Sequence, residues 1–94
     1  MAEPIRVLLV DDQSLVRSGF HMLIDSEDDM AVVGEASNGA EALEKLRTIE
    51  VDVALMDIRM PVMDGVETTR RIAASSLPTR VMILTTFDLD EYVY

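Results

Sequence analysis

Asp57 ends the apolar run Val53-Ala54-Leu55-Met56 and is followed shortly by Pro61, while Asp11 and Asp12 end a second apolar run over residues 5–10. Such runs form strands buried on both faces, and open α/β sheets bind their ligands outside the carboxyl ends of the strands. If the two strands are parallel, the three carboxylates converge at one rim. Two full charges ~4 Å apart repel by about 4 kcal/mol at an effective dielectric of ~20, so such a cluster either keeps a proton or binds a cation. Hard oxygen donors in an open site favour Mg2+, which takes one or two protein carboxylates and keeps several waters. A phosphoryl group can replace one of those waters, and Asp57 is then placed as a nucleophile whose product is an aspartyl phosphate. Thr85 ends a further apolar run, and at the same rim its hydroxyl could donate to a phosphoryl oxygen. A charge-assisted bond of that kind is worth roughly 1.5–3 kcal/mol, enough to shift a loop equilibrium tenfold or more. Each residue alone has a plainer explanation, a turn acid for the aspartates and a backbone-bonded strand residue for Thr85; their joint placement is the signal.

The elements that must position these residues follow from periodicity. Ile5–Val10 reads as a strand that breaks at Asp11-Asp12-Gln13-Ser14. From Ser14 to about Asp25 the apolar residues Val16, Phe20, Leu23 and Ile24 recur at three- and four-residue spacing, predicting a helix that buries them. Met30–Ala36 reads as a second strand in which Gly34 permits a bulge or close packing. Asn38 with Glu41 has the layout of a helix cap, and Ala42, Leu43, Leu46 and Ile49 form the apolar face of the helix that follows. After the strand that carries Asp57, Asp64 and Glu67 open a third helix, with Val66, Thr69, Ile72 and Ala73 expected inside; residues 80–85 form a fourth strand, and Asp88 caps the start of another helix. The order β-α-β-α-β-α-β, with crossovers long enough to join parallel strands, predicts an α/β doubly wound parallel sheet with no internal domain boundary.

The balance of charges narrows the partners. Eighteen acidic against eight basic side chains give a net charge of −10, which repels a nucleic-acid backbone, so this segment is not itself a DNA-binding surface. No apolar run approaches the ~18 residues of a membrane span, the first residues lack the pattern of a secretory signal, and there is no cysteine; these point to a cytoplasmic protein without membrane contact. His21 reads as a helix-boundary residue, since Asp25 is the only possible ligand sharing its face. The methionines read as core filler, with Met60 and Met63 shaping the loop after Asp57, and Arg70 and Arg71 as a solvated face.

Three stretches, Leu9-Val10-Asp11-Asp12, Leu55-Met56-Asp57-Ile58-Arg59-Met60-Pro61-Val62-Met63-Asp64-Gly65 and Ile83-Leu84-Thr85-Thr86, together resemble the receiver domain of bacterial two-component response regulators. The resemblance covers essentially the whole chain. It implies the flavodoxin-like receiver fold, Asp57 as the acceptor of a phosphoryl group from a sensor histidine kinase, Mg2+ held by Asp11, Asp12, Asp57 and the backbone carbonyl of Arg59, and Thr85 as the switch hydroxyl. The opening of the first helix, Asp12-Gln13-Ser14-Leu15-Val16-Arg17, and the passage Thr85-Thr86-Phe87-Asp88 resemble the subfamily whose receivers precede a LuxR-type helix-turn-helix domain. A complete receiver has five βα units, and its fifth strand carries a lysine and an aromatic residue; Lys45, Tyr92 and Tyr94 do not lie where these belong. The expectation is therefore a partial receiver over residues 1–94, truncated before the fifth strand and lacking its output domain, able to form a homodimer with swapped elements. An intact mass above 10.5 kDa would support missing sequence.

Two other functions compete with this one. An Mg2+-dependent phosphohydrolase with an aspartyl-phosphate intermediate would use the same acids, but haloacid-dehalogenase-type enzymes carry Asp-x-Asp after their first strand, and Asp57-Ile58-Arg59 lacks the second acid. A receiver-like interaction module that is never phosphorylated would have no need to retain the three aspartates. The reading favoured is a signalling module and not an enzyme.

Overall fold

The alternating apolar runs and amphipathic segments form one parallel sheet covered on both faces. The computed structural model describes residues 3–84. Its elements are β1 (Ile5–Val10), α1 (Ser14–Asp25), β2 (Met30–Ala36), α2 (Gly39–Leu46), β3 (Val53–Asp57), α3 (Gly65–Ala74) and β4 (Arg80–Leu84). The strands are all parallel and lie in the order β2-β1-β3-β4. Among the described residues no helix is long and apolar enough to cross a membrane.

Side chains alternate across the strands, so each strand feeds two cores. Val7 and Leu9 pack with Ile24 of α1, joined by Phe20, Val32 and Leu55. Leu8, Val10, Ala54 and Met56 point the other way, to Ala42 and Leu46 of α2 and Ile72 of α3. Burying one such aliphatic side chain contributes about 1.5–3 kcal/mol, which is why Val7–Val10 and Val53–Met56 are apolar without interruption. β2 carries the irregularity expected at Gly34: Val7 pairs with Val32 but Leu8 with Gly34, leaving Val33 as the extra residue of a bulge.

The burial expected from sequence is corrected in two helices. In α1 the inward residues are Val16, Phe20 and Ile24, four apart, whereas Leu23 is 66% exposed, and Leu15 and Met22 are still more exposed. In α3 Val66 and Ala73 face outward, and Thr68 takes the buried place with Ile72. Thr68 can be buried because its hydroxyl donates to the Asp64 carbonyl at 2.7 Å, leaving no unsatisfied polar atom. α2 ends at Leu46, one turn before Ile49, which still packs on the same core. The caps read from sequence are present: Asn38 accepts from the Glu41 amide and Asp64 from the Glu67 amide, each at 2.9 Å.

The crossing of the chain from β2 to β3 passes over β1, so connections leave β1 and β3 toward opposite sides. This reversal is the crevice in which doubly wound sheets bind ligands.

Candidate metal and phosphoryl site

Val10 of β1 pairs with Met56 of β3, so the residues that follow, Asp11 and Asp57, emerge side by side at the reversal. Asp57 is the last residue of β3, opposite Leu84 of β4. One carboxylate oxygen from each of Asp11, Asp12 and Asp57 lies within 4.8 Å of the others. Asp11 and Asp57 are buried, at 5% and 4% exposure, and Asp12 is open to solvent. The three acids brought together by strand order are thus brought together in space.

The site is built from tight backbone. Asp11 donates its amide to the Ala36 carbonyl at 3.0 Å and accepts the Gln13 amide on Oδ1 at 2.9 Å, which closes the turn between β1 and α1. On the other side the loop after Asp57 is closed by the Gly65 amide on the Ile58 carbonyl at 2.9 Å. A Cβ at Gly65 would stand 2.3 Å from the Asp57 carbonyl oxygen, so only glycine lets α3 begin this close to the acid. The Gly39 amide donates to the Met63 carbonyl at 3.0 Å and ties the same loop to the start of α2. Within it Val62 has φ 68° and is 84% exposed, a β-branched residue in the left-handed region. Arg59 lies in this loop, two residues beyond Asp57, with its side chain exposed. Thr85 falls outside the described residues, as do Asp88, Tyr92 and Tyr94.

Burial pushes the Asp11 carboxyl up from its ordinary value, and the charges of Asp57 and Asp12 push it further, against the opposing pull of the Gln13 amide. A divalent cation among the three oxygens would remove the cause of that repulsion. Oxygens two coordination bonds apart span up to roughly 4 Å around Mg2+, at about 2.1 Å per bond, so the observed spacing admits the ion with small side-chain adjustment. The donor set, carboxylates alone, suits a hard cation.

A second cluster borders this site, and the sequence reading did not contain it. Arg17 of α1 donates from Nη1 to the Asp11 carbonyl at 2.5 Å and from Nε to Glu35 of β2 at 3.0 Å. Glu35 also meets Nδ1 of His21 at 3.1 Å, and His21 reaches Asp25 through Nε2 at 3.0 Å. Lys45 donates to the Glu35 carbonyl. His21, followed first by Arg17, holds the Glu35 carboxyl below its usual range. Arg17, His21 and Asp25 stand four apart on one helix face, a pattern visible in the sequence; that Glu35 joins them is a fact of strand placement.

Residues 7–94 match the response regulator receiver domain family. The chain belongs to that family. It is 44% identical over 92 residues to the uncharacterized transcriptional regulatory protein YxjL of Bacillus subtilis, covering 98% of this chain and 42% of that protein. Among solved structures, the signal receiver domain of the putative response regulator NarL from Mycobacterium tuberculosis is 40% identical with a TM-score of 0.87, covering 93% of this chain and 70% of that one. A LuxR-family two-component response regulator from Aurantimonas is 35% identical with a TM-score of 0.83, covering 92% and 61%. A chain in the complex of the CheA3 P1 domain with CheY6 from R. sphaeroides is 36% identical with a TM-score of 0.79, covering 96% and 70%. The receiver spans about two-fifths of the length of the curated relatives it matches. Four parallel strands with helices on both faces are the receiver fold expected from the sequence, and its homologues include LuxR-family regulators.

Proposed function

We propose that this receiver accepts a phosphoryl group on Asp57 from a phosphohistidine of a sensor histidine kinase. The observation that carries the reading is the convergence of Asp11, Asp12 and Asp57 at the carboxyl rim of a receiver sheet. Asp11, Asp12, Asp57 and the Arg59 carbonyl would hold Mg2+. When bound, the ion supplies charge neutralisation for the incoming phosphoryl oxygens. Asp57 attacks phosphorus through one carboxylate oxygen; the phosphorus–nitrogen bond breaks, and the imidazole leaves with the electron pair. Burial keeps the Asp57 carboxylate oriented, because β3 and the Gly65 contact fix the backbone on both sides of it. Thr85 is the hydroxyl that would sense the new oxygens. Asp57 acts as an acceptor of one group and not as a turnover catalyst.

The residues form the receiver part of a cytoplasmic regulator whose phosphorylation alters dimerisation, including exchange of elements between copies, and DNA binding by a separate output domain. The transcriptional relatives and the LuxR-family neighbour support this extension, and the CheY6 complex with a P1 domain supports a kinase-side protein partner.

Mass spectrometry after incubation with a small acyl phosphate tests the reading, with and without Mg2+. A phosphate adduct that requires both the ion and Asp57 is expected. An adduct that persists undiminished in Asp57→Asn would overturn the assignment.

A further inference from the structure

The β1–α1 turn has an unusual division of labour. α2 and α3 are each capped by a side chain, whereas the cap residue of α1, Gln13, makes no side-chain cap bond. The start of α1 is instead held from within the helix: Arg17 reaches back across one turn to the Asp11 carbonyl, and Glu35 on β2 holds the same guanidinium from the other side. Each backbone group of Asp11 then has a partner, the amide on the Ala36 carbonyl and the carbonyl on Arg17, while its side chain takes the Gln13 amide. These bonds restrain the backbone on both sides of Asp11, and with it the Asp11–Asp12 peptide that helps set where both carboxylates point.

We propose that Arg17 is a positioning residue for the metal-binding turn, fixing the Asp11–Asp12 peptide through its Nη1 bond while Glu35 anchors its Nε. The inference rests on the Mg2+ reading above and deepens it. Arg17 is suited to the task by its planar fork, with two donors held at a fixed angle to two acceptors; an ammonium group has no such fork. His21 completes the anchor by occupying the other oxygen of Glu35, so that the Arg17 contact falls on Oε1.

Charge and geometry make opposite claims about this residue. A cation beside three acids repels Mg2+, so if charge were its whole contribution its removal would tighten metal binding. If it positions the turn, its removal loosens the ligands and weakens binding, as loss of residues that orient metal ligands commonly does by about 10–100-fold.

Titration calorimetry of Mg2+ into the chelator-treated full chain separates these, at a temperature where circular dichroism shows each variant folded. Arg17→Gln is expected to bind at least about tenfold more weakly. In the metal-free protein its Gln13 amide is expected to exchange with deuterium faster. Arg17→Lys, which keeps the charge but not the fork, should also bind more weakly than the parent. Unchanged or tighter binding in Arg17→Gln overturns the proposal; if that variant does not fold, unchanged or tighter binding in Arg17→Lys does so. Asp12→Asn is the control on the underlying reading: if its Mg2+ affinity matched the parent's, the acid cluster would not be the metal site. Weakened binding in Asp12→Asn with native binding in Arg17→Gln would leave the metal site standing and remove the positioning role alone.

Discussion

At the amino end of the sheet Asp52 meets Arg6, whereas at the carboxyl end Asp11, Asp12 and Asp57 meet one another. Arg6 offers Asp52 its amide at 2.8 Å and its guanidinium nitrogens at 3.1 Å, and it also reaches Glu50. The Asp52 amide returns a bond to the Arg6 carbonyl at 2.9 Å, and the Arg80 amide donates to the Asp52 carbonyl at 3.0 Å, so one acid joins β1, β3 and β4 where the strands begin. The Arg6 side chain pulls the Asp52 carboxyl below its ordinary range, while at the other rim burial and neighbouring acids push Asp11 above it. The first arrangement satisfies its charges within the chain. The second holds like charges close, a repulsion that a cation bound among them would relieve.

The clamp that enforces this conflict gives the largest expected effect. In Gly65→Ala the new methyl would stand 2.3 Å from the Asp57 carbonyl oxygen, and neither backbone segment can yield without moving the acid. A destabilisation of about 3 kcal/mol is expected in urea unfolding, together with weakened Mg2+ binding. Native stability in this variant would show that the carboxyl rim is not held by close backbone contact.

The two rims should next answer opposite ways to loss of an acid. Asp11→Asn keeps an acceptor for the Gln13 amide and removes one of the repelling charges, so the metal-free protein is expected to gain roughly 1 kcal/mol while losing Mg2+ affinity. Asp52→Asn is expected to lower the urea midpoint, because Arg6 loses the charged partner of its bonds. Acidification should distinguish them as well. Asp52 has a depressed folded-state pKa, so its contribution is present above the ordinary carboxylate value of about 3.9 and is lost as pH falls through the lower folded value. Asp11 has a raised one, so its charged form penalises the fold above that pKa and the penalty fades as pH falls through it. The midpoint difference between the parent and each variant should therefore shrink in acid from both directions. Midpoints that move the same way in the two variants would erase the contrast between the rims.

Much of this was legible in the sequence because apolar runs and acids mark strand ends so sharply. Val10-Asp11 and Met56-Asp57 are each a buried side chain followed at once by a carboxylate, and parallel pairing of the two runs then dictates convergence. Legibility failed where periodicity is degenerate or polarity misleads. Leu23 and Ile24 stand three and four residues from Phe20, so both fit a helical repeat although they lie about 100° apart around the axis, and only the sheet decides that Ile24 is buried. Thr68 looks like a surface residue until its hydroxyl is seen to bond the Asp64 carbonyl, while the more apolar Val66 stays outside. The link from Arg17 to Glu35 joins α1 to β2 and has no local pattern to announce it.

Val62 provides the smallest test, and it asks whether strain at the carboxyl rim extends beyond charge. Its φ of 68° presses a β-branched side chain into a region that costs of the order of 1–3 kcal/mol, and 84% exposure returns little burial in exchange. The amide of the next residue, Met63, donates to the Pro61 carbonyl at 2.7 Å, and the Met63 carbonyl accepts the Gly39 amide, so the turn is held from both sides in spite of the strain. Glycine at this position relieves the side-chain clash but gains backbone freedom in the unfolded chain, a loss of about 0.5–1 kcal/mol. Val62→Gly is therefore expected to stabilise the receiver by about 0.5–1 kcal/mol in urea unfolding, with Mg2+ affinity unchanged because the bonds around Met63 persist. A lower midpoint would mean that the exposed valine side chain holds the loop by contacts stronger than its strain, and the conflict at this rim would then be confined to the three acids.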